Sequence, residues 1–394
     1  MLHRTPLRLG STMRDVVPDV LMFADTLRSK ELRHEVPLAL GDPIGYAERL
    51  GKRHVLAPSL EFPRLQAADI EAELHPLEEF GWDALVLSGI TTDEALNELM
   101  LRFAQGLGVE SAVVPGTFPL ALADHLRAQG IELTADQSLF DTRRRVKNEH
   151  ELAGIRRAQS AAQAGMTVVA RMLREAERSN GTLTLDGEAL TCERIKAEVD
   201  RVFSEHGAAV DEIIVSHGAQ SAIGHDAGSG AILPGETVVA DLFPFDKATG
   251  CYADMTRTFV VGEPTEEARE WHRLSLEALE RSLAAIRPGV EGREVHRVAC
   301  EVFQAAGYPT QLTKEPGQVL LDGFYHSLGH GVGLDVHEEP GLGRNGRALV
   351  AGDVLAVEPG LYRQGTGGCR LEDLVLVTDG GYENLTQFPY DFQP

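Results

Sequence analysis

One stretch of this chain has a faint second copy. Gly235-Glu236-Thr237-Val238-Val239-Ala240-Asp241 is matched by Gly352-Asp353-Val354-Leu355-Ala356-Val357-Glu358. In both copies a glycine opens an apolar run, and an acid closes it six residues later. Asp254 follows Asp241 by thirteen residues, and Glu372 follows Glu358 by fourteen. Cys251 and Cys369 each stand three positions before the second acid. Two helix-like segments fill the space between the copies. The first runs from Thr265 to Ile286 and is stopped by Pro288-Gly289; the second runs from Glu294 to Ala306 and is stopped by Gly307. This pattern predicts two related α/β halves about a pseudo-twofold axis, each giving two carboxylates to one central site.

An ionised carboxylate at the end of an apolar strand is costly unless something positive neutralises it. Taken singly, such an acid usually reaches solvent or pairs with a base. Taken together, Asp241, Asp254, Glu358 and Glu372 favour metal coordination, because Arg257 and Arg370 are the basic residues immediately around them. A segment between the last of the intervening helices and the second copy adds imidazoles: His326-Ser327-Leu328-Gly329-His330-Gly331-Val332-Gly333-Leu334-Asp335-Val336-His337-Glu338. Glycines flank His330 and would let backbone approach closely. The segment is not H-E-x-x-H, which disfavours a zincin. Asp241, Asp254, His330, Glu358 and Glu372 make four carboxylates and one imidazole. That is too few for a calcium cage, and it lacks the sulfur of a structural zinc site. It suits two divalent ions sharing carboxylate bridges, with a face open to water.

At 394 residues the chain is long enough for two domains. Residues 1–145 read as an α/β unit with a mainly parallel sheet. Apolar runs such as His54 to Ala57 and Ala84 to Leu87 alternate there with helical stretches such as Asp93 to Gly106 and Pro119 to Gln129. No G-x-G-x-x-G follows a strand there, so nothing points to a dinucleotide. A basic turn, Arg143-Arg144-Arg145, precedes a long helix opened by a capping box of Asn148 and Glu151. A further helix ends at Gly207. Residues 146–394 form the second unit. Net charge is −23, which repels phosphate backbones and anionic membranes and argues against nucleic acid as a partner. Four cysteines without a C-x-x-C pair suggest a reduced, cytoplasmic protein. The stretch MLHRTPLRLGSTMRD lacks the apolar core of a secretory signal, and no apolar run approaches a membrane span.

These residues resemble the metal-dependent Xaa-Pro peptidases of the pita-bread fold, the prolidases and aminopeptidases P. The likeness is loose over the whole chain and close from about 210 to 387. It is carried by His326 to Glu338, Ala253 to Thr258, Val357-Glu358-Pro359-Gly360 and Arg370-Leu371-Glu372-Asp373, in the family's order. The resemblance implies a small N-terminal creatinase/prolidase-like α/β domain that forms a cleft wall and dimer contacts, followed by a pita-bread catalytic domain. It implies two divalent ions, with manganese favoured and zinc or cobalt as alternatives. Asp241 would bind one ion, Asp254 and Glu372 would bridge, and His330 and Glu358 would bind the other. Glu358 would shuttle the proton. His225, His326 and His337 would contact substrate, and Arg370 would orient a bridging carboxylate. Small proline-containing peptides would be the substrates, Xaa-Pro dipeptides first, and longer peptides in the aminopeptidase P alternative. A homodimer is expected. Creatinase-like hydrolysis without metal and an inactive binding protein are disfavoured, since all five ligand positions are intact. Two departures stand out. Asp241 and Asp254 lie further apart than is usual in the family, which is expected to lengthen a hairpin near Phe245 to Gly250. No arginine shortly follows His337; the nearest is Arg344.

Overall fold

The computed structural model describes residues 18–68 and 70–394; the N-terminal stretch read above for a secretory signal lies outside them. The chain divides into two compact units between Phe140 and Asp141, compared with the 145/146 boundary expected from sequence. No helix among the described residues is long and apolar enough to cross a membrane.

The first unit is a six-stranded sheet in the order β4-β3-β2-β1-β5-β6. Its strands are β1 (Val20–Ala24), β2 (Ile44–Arg49), β3 (Lys52–Ala57), β4 (Glu73–Pro76), β5 (Ser111–Val114) and β6 (Glu132–Ala135). The helices include α1 (Lys30–Glu35), α2 (Phe62–Ala67), α3 (Trp82–Leu87), α4 (Thr92–Gly106) and α5 (Leu120–Ala128). The sheet is mixed rather than mainly parallel. β1 pairs with β5, β3 with β4 and β5 with β6 in parallel, but β1-β2 and β2-β3 are antiparallel. The reversal is made by a two-residue hairpin at Leu50 and Gly51, both with positive φ (52° and 76°). Such a turn usually advertises itself as Asn-Gly or Asp-Gly, so Leu50 conceals it. Ala84 to Leu87, expected as a strand, belongs to helix α3. Gly81, at φ 84°, ends a 3-10 turn over Leu77–Phe80 and starts that helix. Only Leu85 of the helix is buried, whereas Val86 and Leu87 face solvent. An apolar run this short fits a strand and a helical turn equally well, and the glycine decides.

Helix α6 (Gln137–Arg145) carries Arg143, Arg144 and Arg145 as its last turn, so the expected basic turn is helical. Arg145 bonds both carboxylate oxygens of Asp353, at 2.9 and 2.7 Å. Arg144 reaches Asp335 and Glu338, and Lys147 also bonds Glu338. These ion pairs hold the start of the second unit against the segment on either side of His337. Helix α7 (Glu149–Glu175) begins with the expected capping box of Asn148 and Glu151 and buries one face, including Ile155, Ala162, Met166, Val169 and Leu173. Helix α8 (Cys192–Glu205) packs on it and stops before Gly207, at φ 70°. A small three-stranded sheet, β7 (Glu177–Ser179), β8 (Thr182–Leu185) and β9 (Glu188–Ala189), lies between them in sequence.

The duplication is visible in the second unit as two copies of one arrangement. In the first copy α7 and α8 precede a sheet β11-β12-β14 made of Ile214–His217, Thr237–Leu242 and Met255–Val260. A short pair, β10 (Ala208–Ala209) with β13 (Phe245–Asp246), extends the β12–β14 connection, where extra residues were expected. Asp246 anchors this loop through Thr249 and a two-pronged bond from Arg157. In the second copy α9 (Glu266–Ala285) and α10 (Gly292–Ala305) precede the sheet β16-β15-β17-β20-β21. Its strands are β15 (Gly329–Gly331), β16 (Glu338–Leu342), β17 (Val354–Val357), β20 (Asp373–Thr378) and β21 (Gly381–Asn384), and the hairpin β18 (Gly360–Arg363)–β19 (Gly367–Arg370) forms a separate pair. Both acid-bearing strands, β12 and β17, lie centrally and run antiparallel to the strand that follows the second acid.

Where the copies meet, Arg257 on β14 donates from Nη2 to Asp373 Oδ1 on β20 at 2.9 Å, and both side chains are inaccessible to water. Arg257 also donates to the carbonyls of Thr256, Glu372, Phe388 and Pro389. Removing one member of such a pair strands the other charge. We expect Arg257→Met to cost about 3–5 kcal/mol in urea unfolding. Adding Asp373→Leu should recover much of that loss; strictly additive losses would contradict the pairing.

Candidate metal centre

Strand ends deliver the acids. Asp241 is the penultimate residue of β12 and Glu358 directly follows β17; Asp254 and Glu372 immediately precede β14 and β20. His330 is the middle residue of β15, between two glycines. A Cβ at Gly329 would lie 1.9 Å from the Ala356 carbonyl oxygen, and one at Gly331 would lie 2.5 Å from that of Glu339. The glycines therefore let β15 close on its two neighbours, and this fixes the direction of the imidazole between them.

Asp241, Asp254, His330, Glu358 and Glu372 converge, with His225, His337 and Arg370, on a cavity of about 250 Å³. Glu212, Ile214, Phe243 and Val336 complete its wall. Asp254, His330 and Glu372 each offer a ligand atom within 4.8 Å of the others. The His330 Nε2 lies 3.6 Å from Glu358 Oε1 and 3.8 Å from Asp254 Oδ2. Its Nδ1 lies 3.1 Å from the Gly331 carbonyl, which accepts only a proton donor. Nε2 then carries the lone pair, aimed at two carboxylates. Burial holds this imidazole neutral, with its pKa lowered to about 3.

The acids repel one another. Burial, then the charges of Glu372, Asp241 and Glu358, raise the Asp254 carboxyl well above its ordinary range. Burial and the neighbouring acids raise Glu372 in the same way, and burial raises Glu358 despite Arg370 beside it. One oxygen each of Asp241 and Asp254 is buried without a hydrogen-bond partner. Among the described residues, Arg370 is the one permanent cation lining the cavity. Burial disfavours its charge, but Tyr362, Asp241, Glu358 and Glu372 outweigh this and hold it protonated. It donates from Nη2 to Asp241 Oδ2 at 2.5 Å and from Nε to Thr256 Oγ1 at 3.2 Å. Thr256 in turn donates to Glu372 Oε2 at 2.7 Å. The four inward carboxylates against one guanidinium, with Glu212 also on the wall, leave a deficit of positive charge. Two orphaned oxygens and an inward lone pair are what hard divalent cations would satisfy, so the residues fit them.

His326 is not among the residues lining the cavity. Its Nε2 is 3.0 Å from the Tyr362 hydroxyl, which lies 3.3 Å from Arg370 Nη1. Burial lowers its pKa to about 3. His225 and His337 are exposed at the wall, and the ring of His337 lies edge-on to His330, centroids 4.1 Å apart. Sequence reasoning passed over Tyr362, Thr256 and the clamp of Arg144 and Lys147. Thr256 lies inside the quoted Ala253 to Thr258 motif, and Tyr362 follows Pro359-Gly360 closely. Those placements were the available signals; the Arg144 contact spans more than 190 residues and had none. Arg344 is not among the residues lining the cavity. All four cysteines are free and buried.

A profile of metallopeptidase family M24 matches residues 153–379. The chain is 30% identical to the Xaa-Pro dipeptidase of Pyrococcus furiosus over 295 residues, 73% of this chain and 75% of that protein. It shares its fold with a Xaa-Pro dipeptidase from Bacillus anthracis, at a TM-score of 0.76 and 22% identity over 95% of this chain and 94% of that one. An X-Pro aminopeptidase from Thermotoga maritima is similar to the same degree, with a TM-score of 0.76 and 23% identity over 96% and 97% of the two chains. Paired α/β halves around an acid-lined cavity define the pita-bread metallopeptidases. The chain belongs to metallopeptidase family M24.

Crowded buried acids imply that the site is strained without cations. In metal-free protein, Asp254→Asn should raise stability by about 1–3 kcal/mol, because one acid is removed from a crowd of buried acids. The same variant should lose the rise in thermal midpoint that divalent metal gives the parent protein, about 2.7 kcal/mol at a hundredfold excess over Kd. Calorimetry with and without chelator measures both. A variant that is less stable without metal, yet still stabilised by it, would contradict the charge argument.

Proposed function

We propose that the protein is a dinuclear metallopeptidase that hydrolyses the peptide bond of Xaa-Pro dipeptides. The observation that supports this most directly is the charge balance of the cavity. The four acids of the ligand set and Arg370 leave three negative charges, and Glu212 on the wall adds a fourth, so one divalent ion leaves the site anionic and a second is needed to balance it. Two cations beside the scissile bond also suit a carbonyl oxygen that becomes negative during attack. The relatives named as Xaa-Pro dipeptidases support the same substrate class.

In this reading Asp241 would hold one ion, His330 and Glu358 would hold the other, and Asp254 and Glu372 would be shared between them. Two divalent ions bound there would polarise the scissile carbonyl and lower the pKa of a water nucleophile. Glu358 accepts the proton from the attacking water and returns it to the proline nitrogen, a role open to a carboxylate on the cavity wall. Arg370 fixes Asp241 directly and Glu372 through Thr256. His337 and His225 hydrogen-bond the substrate from the wall. His326 is a positioning residue that orients Tyr362 against Arg370. Proline lacks an amide N–H and restricts φ, so its bond needs a dedicated site.

Oxygen-rich ligation with a single imidazole favours manganese over zinc or cobalt. The proposal extends to a homodimer in the cytoplasm, which rests on the family resemblance and on the reduced cysteines.

The deciding assay compares Gly-Pro with Gly-Pro-Ala on manganese-loaded protein. We expect free glycine and proline from the dipeptide and little cleavage of the tripeptide. Preferential cleavage of the tripeptide would make the protein an aminopeptidase instead. Full metal loading with neither substrate cleaved would end the peptidase reading. Glu358→Gln should lower kcat by about 10²–10⁴-fold while Gly-Pro still binds. Near-normal turnover would remove Glu358 as the base.

A further inference from the structure

Outside the acid-lined cavity, the first unit holds a second cluster of ligand-type side chains. β3 and β4 pair in parallel, with His54 opposite Glu73 and Leu56 opposite His75. Alternation along a strand places His54, Glu73 and His75 on one face of the sheet. β4 is the sheet's edge strand. His54 Nδ1 lies 3.1 Å from His75 Nε2 and 3.6 Å from Glu73 Oε2. Behind them, His75 Nδ1 lies 3.2 Å from each carboxylate oxygen of Glu79.

The tautomers follow from these contacts. A carboxylate accepts, so His75 donates from Nδ1 to Glu79 and its Nε2 carries a lone pair. That lone pair meets His54 Nδ1 and Glu73 at one point. An imidazole backed by a carboxylate on its far nitrogen is the usual support of a metal-binding histidine. The spacing also fits: two nitrogens bound tetrahedrally to one zinc at about 2.0–2.1 Å lie about 3.4 Å apart. The observed separation needs only a few tenths of an ångström of adjustment. Both histidines are buried, whereas the Glu73 side chain is 63% exposed and free to swing inward. The rings of Phe80 and Phe103 shield His75, with centroids 5.9 and 5.6 Å away. Lys52, on the same face of β3, opposes a positive charge at His54, and Glu73 favours one.

We propose that His54, His75 and Glu73 bind one divalent transition-metal ion of the zinc or nickel class, with Glu79 supporting His75 and water completing the coordination. Binding requires His54 to move its proton from Nδ1 to Nε2, with no net proton release. Two imidazoles and one carboxylate select a softer ion than the carboxylate-rich cavity does. The ion cross-links edge strand β4 to β3 and removes part of the liability of an open sheet edge.

The test uses the full-length protein saturated with manganese and then exposed to zinc. Crystals soaked in zinc and measured at the zinc edge should show an anomalous peak between His54 Nδ1 and His75 Nε2. Calorimetric titration should show one further zinc equivalent per chain than His75→Gln or His54→Gln takes up. Peptide hydrolysis by the manganese-loaded variants should be unchanged. Glu73→Gln, altered at an exposed side chain, should keep the fold and weaken this zinc at least tenfold. Zinc density confined to the carboxylate cavity, or equal zinc uptake by the parent and His75→Gln, would reduce the pair to a structural hydrogen bond and overturn the proposal.

Discussion

The contact between Arg370 and Asp241 is the point on which the second unit turns. Four buried carboxylates cannot share a cavity of this size without compensation, and Arg370 is the permanent cation on its wall. Its own charge tolerates burial because the acids surround it, so each side of the cluster makes the other affordable. The guanidinium is rigid and planar, and its remaining donors reach Thr256 and Tyr362. Through those two groups one cation sets the orientation of Glu372 and engages the hydroxyl that meets His326. Lysine in that position would supply the charge without the fork.

The residual deficit of positive charge explains why such a site sits between two strand systems rather than on loops. Repelling groups stay together only if their backbones cannot move apart. β12 and β17 are central strands, hydrogen-bonded on both sides. β14 and β20 are tied by the buried pair of Arg257 and Asp373. Stability from the surrounding core is thereby spent on holding an unfavourable arrangement ready for cations, which is the common trade at functional sites.

Much of this could be read along the chain. The repeated glycine, apolar run and acid marked two strands, and the structure shows them as equivalents. The capping box at Asn148 and Glu151 placed the start of α7. Failures arose where a local signal was ambiguous or silent. Ala84 to Leu87 is too short to show a period, and Leu50 holds a left-handed conformation that its side chain gives no reason to expect. Arg143 to Arg145 read as a turn because charge was weighed without the helix that ends there.

The sequence alone determined the chemistry on offer: which side chains are hard ligands, that they come in duplicated pairs, and that nothing nearby except arginine balances them. These are properties of residue type and short spacing, and they survive in one dimension. Only the tertiary structure decided which arginine neutralises which acid, which histidines reach the cavity, and that His54 and His75 touch. Those facts depend on strand register and on side-chain direction across elements far apart in the chain. A shift of one residue in pairing would send each of these groups to the opposite face of its sheet.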